Sequence, residues 1–286
     1  MIADREEMID AHQHYWNPAR GDYGWMPKDD PVLSRAYGPP GLAPALAAAG
    51  VRATVLVQAA PTVAETGYLL GIADETDSVA AVVGWVDFDD PADRRTLERL
   101  AKHPKFRGVR PMIQDIADPD WMLGAGAAWG FDALAEMGLT LDALGRPQHL
   151  ENFSRLLDRH PGLRLVIDHG MKPAIRDHPA GFDAWAAGMV RLAGQGAFCK
   201  LSGLVTEAAP GWTVADLRPC AAHVLAVFGP ERVMWGSDWP VCRLRAEYGD
   251  WLAAAQALTA GLDDGARAAV FGDTARAFYW LAQRDA

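Results

Sequence analysis

A single (β/α)8 barrel, an α/β fold with parallel strands, is the architecture this chain predicts. Three observations point to it. Eight short apolar runs, rich in β-branched residues or bounded by Gly and Pro, read as buried parallel strands. Segments with helical spacing lie between them, the alternation expected of βα units. The length of 286 residues suits one such barrel, which typically takes about 250. No GxGxxG or GxxxxGK[ST] follows a strand, so the open, doubly wound nucleotide-binding alternative loses support.

The strands are predicted at 8–14, 53–59, 81–87, 106–112, 139–144, 163–169, 197–203 and 233–238. Thr62-Val63-Ala64-Glu65 has the form of a capping box that opens a helix through Leu69, Leu70 and Ala73. Asp90-Pro91 places a cap and a helix-compatible proline ahead of Leu97, Leu100 and Ala101. Three apolar stripes follow: Leu150, Phe153, Leu156 and Leu157; Phe182, Trp185, Met189 and Leu192; and Leu217, Ala221, Val224 and Phe228. The tail, 273–281, reads as a closing helix. Residues 1–286 form one domain on this reading. The stretch 17–44 is long for a strand-to-helix loop and carries Tyr23, Trp25, Met26 and Tyr37. Loops of that length are usually functional or disordered, so it is a candidate substrate-covering lid.

Composition excludes several classes. There are 27 Lys and Arg against 37 Asp and Glu, a formal charge of −10, which argues against a nucleic-acid backbone or an anionic membrane as partner. No run is long and apolar enough to span a bilayer. The opening MIADREEMID has no apolar signal core, so a cytoplasmic enzyme is expected. Cys199, Cys220 and Cys242 are scattered and suit neither a disulfide framework nor a cysteine-rich zinc site. Cys242 as a nucleophile would need a base arranged beside it. The Asn152-Phe153-Ser154 sequon falls on a predicted helix and carries no weight.

In such a barrel the chemistry sits at the C-terminal ends of the strands. The first ends Asp10-Ala11-His12-Gln13-His14. Side chains alternate with period 2, so His12 and His14 share a face, where two imidazoles can grip a divalent metal or a carbonyl oxygen. The sixth ends Val166-Ile167-Asp168-His169-Gly170. Alternation sends Asp168 and His169 to opposite faces, and His169 is taken as the inward one. The eighth ends Trp235-Gly236-Ser237-Asp238-Trp239-Pro240, and an acid buried there is costly unless it has a task or caps the next helix. Arg110 ends the fourth strand, Gln58 the second, and Lys200 shares a face of the seventh with Ser202. Arg110, Gln58 and Lys200 are candidate binders of substrate oxygens. The alternatives are a loop carboxylate for Arg110 and neutralisation of Asp238 by Lys200. Arg146 and His149 either reach the substrate or cap the helix at Leu150. Trp25 and Trp239, with Trp85 or Trp121, are candidate platforms for the apolar face of a sugar. Most of the eleven Trp are expected in the core or at its rim.

Taken together these pieces resemble the amidohydrolase superfamily, of the amidohydrolase 2 type. The closer resemblance is to its branch of sugar-acid and pyrone-dicarboxylate lactonases. It is carried by IDAHQHYW, RGDYGWMP, QAAPTVAET, FRGVRPMIQDI, RPQHL, VIDHGMKP, CKLSGLVTEA, ERVMWGSDWPVC and FGDTARAFYWL, in order along nearly the whole chain. Within the branch the chain is most similar to hydrolases of L-fuconolactone or L-rhamnonolactone. The resemblance implies that His12 and His14 are the first-strand pair, that Asp238 takes a proton from water, and that His169 lies near the substrate carbonyl.

One departure bears on the cofactor. Metal-dependent members also supply a fifth-strand His or carboxylated Lys, whereas this strand reads Leu139-Thr140-Leu141-Asp142-Ala143-Leu144. His12, His14 and Asp238 make an incomplete zinc set unless Asp142 joins them. The expectation is therefore a site that needs no cofactor, with one divalent metal such as zinc or manganese as the alternative. A lactone is an activated ester, and its hydrolysis needs a base for water and donors for the oxyanion. Asp238 is the candidate base. His12, His14 and His169 are candidate donors to the carbonyl oxygen, and Asp142 is a candidate substrate contact. The expected partner is a small sugar lactone, with no nucleic acid and no membrane; a homo-oligomer is compatible with the sequence. The rivals are a metal-dependent decarboxylase or amide hydrolase on the same barrel, and a silent sugar-acid binding protein.

Overall fold

The computed structural model describes residues 8–281. Eight strands pair in chain order, each parallel to the next. They are β1 Met8–Gln13, β2 Val51–Val57, β3 Val79–Gly84, β4 Phe106–Val109, β5 Thr140–Ala143, β6 Arg164–Ile167, β7 Phe198–Leu201 and β8 Val233–Trp235. The helices between and after them are α1 Pro39–Ala49, α2 Val63–Asp74, α3 Arg94–Leu100, α4 Ala128–Met137, α5 Leu150–Arg159, α6 Phe182–Gly194, α7 Leu204–Glu207, α8 Val214–Phe228, α9 Tyr248–Leu258, α10 Asp264–Ala268 and α11 Thr274–Tyr279. The predicted barrel is the observed one.

Among the described residues no β8–β1 ladder closes the ring; the chain just past β8 does. Gln13 bridges to Trp239. The Asp238 N–H donates to the His12 carbonyl at 2.7 Å and the His14 N–H to the Trp239 carbonyl at 2.7 Å. Such an approach demands glycine at position 236, where a Cβ would lie 2.7 Å from that of His12. A buried carboxylate staples the same seam. Asp10 Oδ1 accepts from the N–H groups of Ser237 at 2.8 Å and His12 at 3.2 Å, and Oδ2 accepts from the Tyr248 hydroxyl at 3.2 Å.

Most strands stop earlier than the apolar runs suggest. β2 ends at Val57, β4 at Val109, β6 at Ile167 and β8 at Trp235. The residues just beyond, Gln58, Arg110, Asp168, His169 and Asp238, leave the ladder because their side chains turn over the barrel mouth. α1, α4 and α9 are not among the helices the spacing picks out. α1 takes the last six residues of the expected 17–44 loop, because Pro39 and Pro40 occupy first-turn positions whose N–H groups need no partner. Before it, the segment is pinned by aromatic contacts. Trp16 Nε1 donates to the carbonyls of Leu33 at 3.2 Å and Arg35 at 2.9 Å, and the Trp16 and Tyr37 rings meet edge to face.

The barrel interior splits into two zones. Its lower half is apolar: Ile9, Ala11, Val55, Val57, Val83 and Met234 pack with Phe278 and Tyr279 of α11, which plugs the bottom. Its upper half is polar, with Asp142, Asp168, Lys200 and His12 all fully buried.

Candidate active site

Four side chains converge at the mouth. His12 Nε2 lies 3.1 Å from His14 Nε2. Asp238 Oδ1 is 3.3 Å from His14 Nε2, 3.7 Å from His12 Nε2 and 3.8 Å from His169 Nε2. All four residues are buried. The sequence places them correctly, and His12 and His14 do share a face. Burial lowers the pKa of each histidine, to about 4 for His169, so all three are neutral at neutral pH. Burial by itself would raise the Asp238 carboxyl, but the three imidazoles outweigh it and hold Asp238 below the usual carboxylate range.

Hydrogen bonds on the far side of each ring assign the protons. His14 Nδ1 lies 2.7 Å from the Val57 carbonyl, which only accepts, so the proton is on Nδ1 and Nε2 offers a lone pair. Neutral His14 is therefore an acceptor at the mouth, not the carbonyl donor expected of it. His12 Nδ1 sits between Lys200 Nζ at 3.1 Å, which donates, and Asp168 Oδ1 at 3.3 Å, which accepts. With Lys200 donating, His12 carries its proton on Nε2 and donates to His14. With Asp168 accepting, His12 Nε2 presents a second lone pair. His169 Nδ1 is 2.9 Å from Ser202 Oγ.

These donors fit a divalent cation. Ligands about 2.0–2.2 Å from zinc in a tetrahedron lie roughly 3.4 Å apart, and His12 Nε2, His14 Nε2 and Asp238 Oδ1 lie 3.1 to 3.7 Å from one another. The set is His12, His14 and Asp238, which leaves the fourth position of a zinc site open. Asp142, the fifth-strand residue that could have completed the set, does not join it. Its Oδ2 accepts from Lys200 Nζ at 2.5 Å and from the Tyr279 hydroxyl at 2.8 Å, deep in the barrel.

Asp168 is the main residue that strand alternation misses. It faces inward together with His169, because the chain leaves β6 through four consecutive residues with positive φ: His169 at 53°, Gly170 at 56°, Met171 at 61° and Lys172 at 51°. Such a turn breaks the period of 2, and only one of its residues is glycine. Asp168 then meets Lys200 Nζ at 3.0 Å and Arg110 Nη1 at 3.3 Å. Burial would raise its pKa, but Lys200, His12 and Arg110 together hold it well below the ordinary value.

The expected substrate contacts divide. Lys200 is fully buried against Asp142, Asp168 and His12, beneath the histidines, and does not pair with Asp238. Arg110 donates to the Gln58 carbonyl as well as to Asp168, and Gln58 Nε2 donates back to the Arg110 carbonyl at 2.6 Å. That clasp leaves Gln58 Oε1 buried without a partner. Trp239 is packed between Tyr15, Tyr37 and Gly41, so it is core and not a sugar platform. Trp25, Trp85 and Trp121 instead line one cleft of about 440 Å³ over the ends of β3 and β4, with Met112, Asp87 and Asp89. Trp25 Nε1 is anchored to the Ala59 carbonyl at 2.6 Å. Glu65 fixes that loop by accepting the N–H groups of Ala59 and Ala60. His149 is buried and its Nδ1 accepts from the Arg146 N–H at 3.0 Å, the capping role.

Gly203 supports His169. It has φ +63°, and a Cβ there would lie 2.5 Å from His169 Nδ1. Gly203→Ala is expected to lower kcat/KM roughly 10²-fold by displacing that ring. Steady-state kinetics on the folded variant check this; an unchanged rate would show that the placement of His169 is immaterial.

A closed parallel barrel with HxH on its first strand, His after its sixth and Asp after its eighth defines an amidohydrolase. The amidohydrolase family profile matches residues 9–281, and the chain belongs to that family. It is similar to an L-fucono-1,5-lactonase of Burkholderia ambifaria, with 45% identity over 95% of this chain and 94% of that one. It is 37% identical to an L-fucono-1,5-lactonase of Burkholderia multivorans, covering 96% of each. Among solved structures it resembles a zinc-bound amidohydrolase from Burkholderia multivorans, with TM-score 0.90 and 35% identity over 96% of this chain and all of the other.

Proposed function

We propose that this protein is a hydrolase that opens the ring of a sugar lactone, with L-fucono-1,5-lactone as the leading substrate. The observation that carries this reading is one carboxylate, Asp238, ringed by three neutral imidazoles at the mouth of a barrel. The two lactonases that are similar over nearly the whole chain support the substrate class.

Asp238 holds a water and takes its proton as the water oxygen bonds to the lactone carbonyl carbon. His169, when protonated on Nε2, donates to the carbonyl oxygen as it gains charge, and such a donor is worth about 10²–10³ in rate. Collapse of the tetrahedral species breaks the ring C–O bond. The departing ring oxygen takes up the proton that Asp238 carries, which regenerates the carboxylate, and the acid product ionises to an aldonate. His14 Nε2 accepts from His12 and keeps its ring aimed at the reacting centre. The Trp25, Trp85 and Trp121 cleft receives the apolar face of the sugar, and the segment before α1 covers it.

This route runs on the chain's own residues. His12, His14 and Asp238 would hold a divalent cation such as zinc or manganese, which when bound supplies Lewis-acid polarisation of the carbonyl. The test is acid release from L-fucono-, L-rhamnono-, L-galactono- and D-arabinono-lactones by chelator-treated protein, with metal content assayed in parallel. Turnover by metal-free protein is expected. Activity only after adding zinc or manganese would keep the lactonase and overturn the metal-free route. No turnover in either state would overturn the function.

A further inference from the structure

The segment His169-Gly170-Met171-Lys172 forms a single left-handed turn, with φ of 53°, 56°, 61° and 51°. Residues other than glycine adopt this conformation rarely, because the Cβ crowds the backbone. Strain of this kind persists where surrounding structure enforces it, often at functional sites. The first residue of the turn is already in the active site. The last is Lys172, half-buried, with its Nζ held 2.6 Å from Gln114 Oε1. Its charge acts on both His169 and Asp238.

The three cations around the site differ in what neutralises them. Arg110 is paired with Asp168, and Lys200 with both Asp142 and Asp168. Lys172 is bonded to a neutral amide oxygen, and among the described residues no carboxylate lies within 4.0 Å of it. Glu207 and Asp238 attract it from further off. An anion forming beside His169 therefore finds Arg110 and Lys200 held in close ion pairs and Lys172 in none.

We infer that Lys172 is a further substrate-anchoring residue, which receives the lactone carbonyl oxygen as it becomes negative and then holds the carboxylate of the opened product. This rests on the lactonase reading for its substrate, but not for its test. A merely structural lysine would serve a neutral ligand and an anionic one alike; an anchoring one would serve only the anion.

Calorimetric titration with sodium L-fuconate and with the neutral polyol L-fucitol separates these cases, applied to wild type, Lys172→Met and Lys172→Arg. Lys172→Met is expected to weaken L-fuconate at least tenfold, to leave L-fucitol within about twofold, and to cut kcat on L-fucono-1,5-lactone about 10²-fold with a smaller change in KM. Lys172→Arg should recover part of the anion affinity. Unchanged L-fuconate binding in Lys172→Met would overturn the anchor while leaving the lactonase intact, as would a wild type that prefers L-fucitol. Lys172-dependent binding of L-fuconate by a wild type that turns over no lactone would support the anchor and overturn the lactonase.

Discussion

Asp238→Asn should lower kcat on the lactone substrate by about 10²–10⁴-fold, with KM changed far less, because general-base catalysis is worth roughly that much. The asparagine keeps the shape of the side chain and removes the group that takes the proton. It is also the substitution the backbone tolerates best. Asp238 has φ +56°, a region where Asn is enriched and most other side chains are strained. Its structural contacts run through main-chain atoms, with its N–H on the His12 carbonyl at 2.7 Å and its own carbonyl accepting from Cys242 N–H at 2.9 Å. Folding and melting temperature should therefore survive while turnover does not. Activity within tenfold of wild type would remove Asp238 from the role of base and move it to the three imidazoles around it.

The fold and the mouth of the site are legible in the sequence for different reasons. The eight strands are visible because a parallel sheet covered on both faces demands continuous apolar runs. His12, His14 and Asp238 are visible because polar side chains at the ends of such runs have few bland explanations. Asp168 and Lys172 are hidden by the backbone. Strand alternation holds only while the residue stays extended, and the left-handed turn after Ile167 suspends it in a segment with a single glycine. Trp239 misleads for the opposite reason. Beside Asp238 it reads as a substrate platform, but its surroundings come from Tyr15, Tyr37 and Gly41, contacts remote in sequence that no local pattern reveals. Lys200 and Asp142 are legible as inward-facing. That they face each other, and not the substrate, depends on Tyr279 rising from the barrel floor.

That buried column yields the largest stability effect. Tyr279, Asp142, Lys200, Asp168 and Arg110 form one chain of contacts from the plug helix to the mouth, and Lys200 is its only cation between two carboxylates. Lys200→Met leaves both acids short of their main counter-charge in a fully buried setting. Breaking a buried pair in this way costs about 3–5 kcal/mol, which for a domain of this size lowers Tm by roughly 10 °C. The two acids are not equally exposed to the loss, since Asp168 keeps Arg110 at 3.3 Å while Asp142 keeps only a phenol. Adding Asp142→Asn to Lys200→Met should therefore restore most of the lost stability, because the amide still accepts from Tyr279 and carries no charge. Activity should not return with it. Without Lys200, His12 Nδ1 has Asp168 as its remaining partner, so the proton moves to Nδ1 and two lone pairs face each other across the 3.1 Å between His12 and His14. Thermal melts and kinetics on the single and double variants separate the two roles. Recovery of stability without rate would assign Lys200 to setting the His12 tautomer as well as to charge balance, and recovery of both would reduce it to charge balance alone.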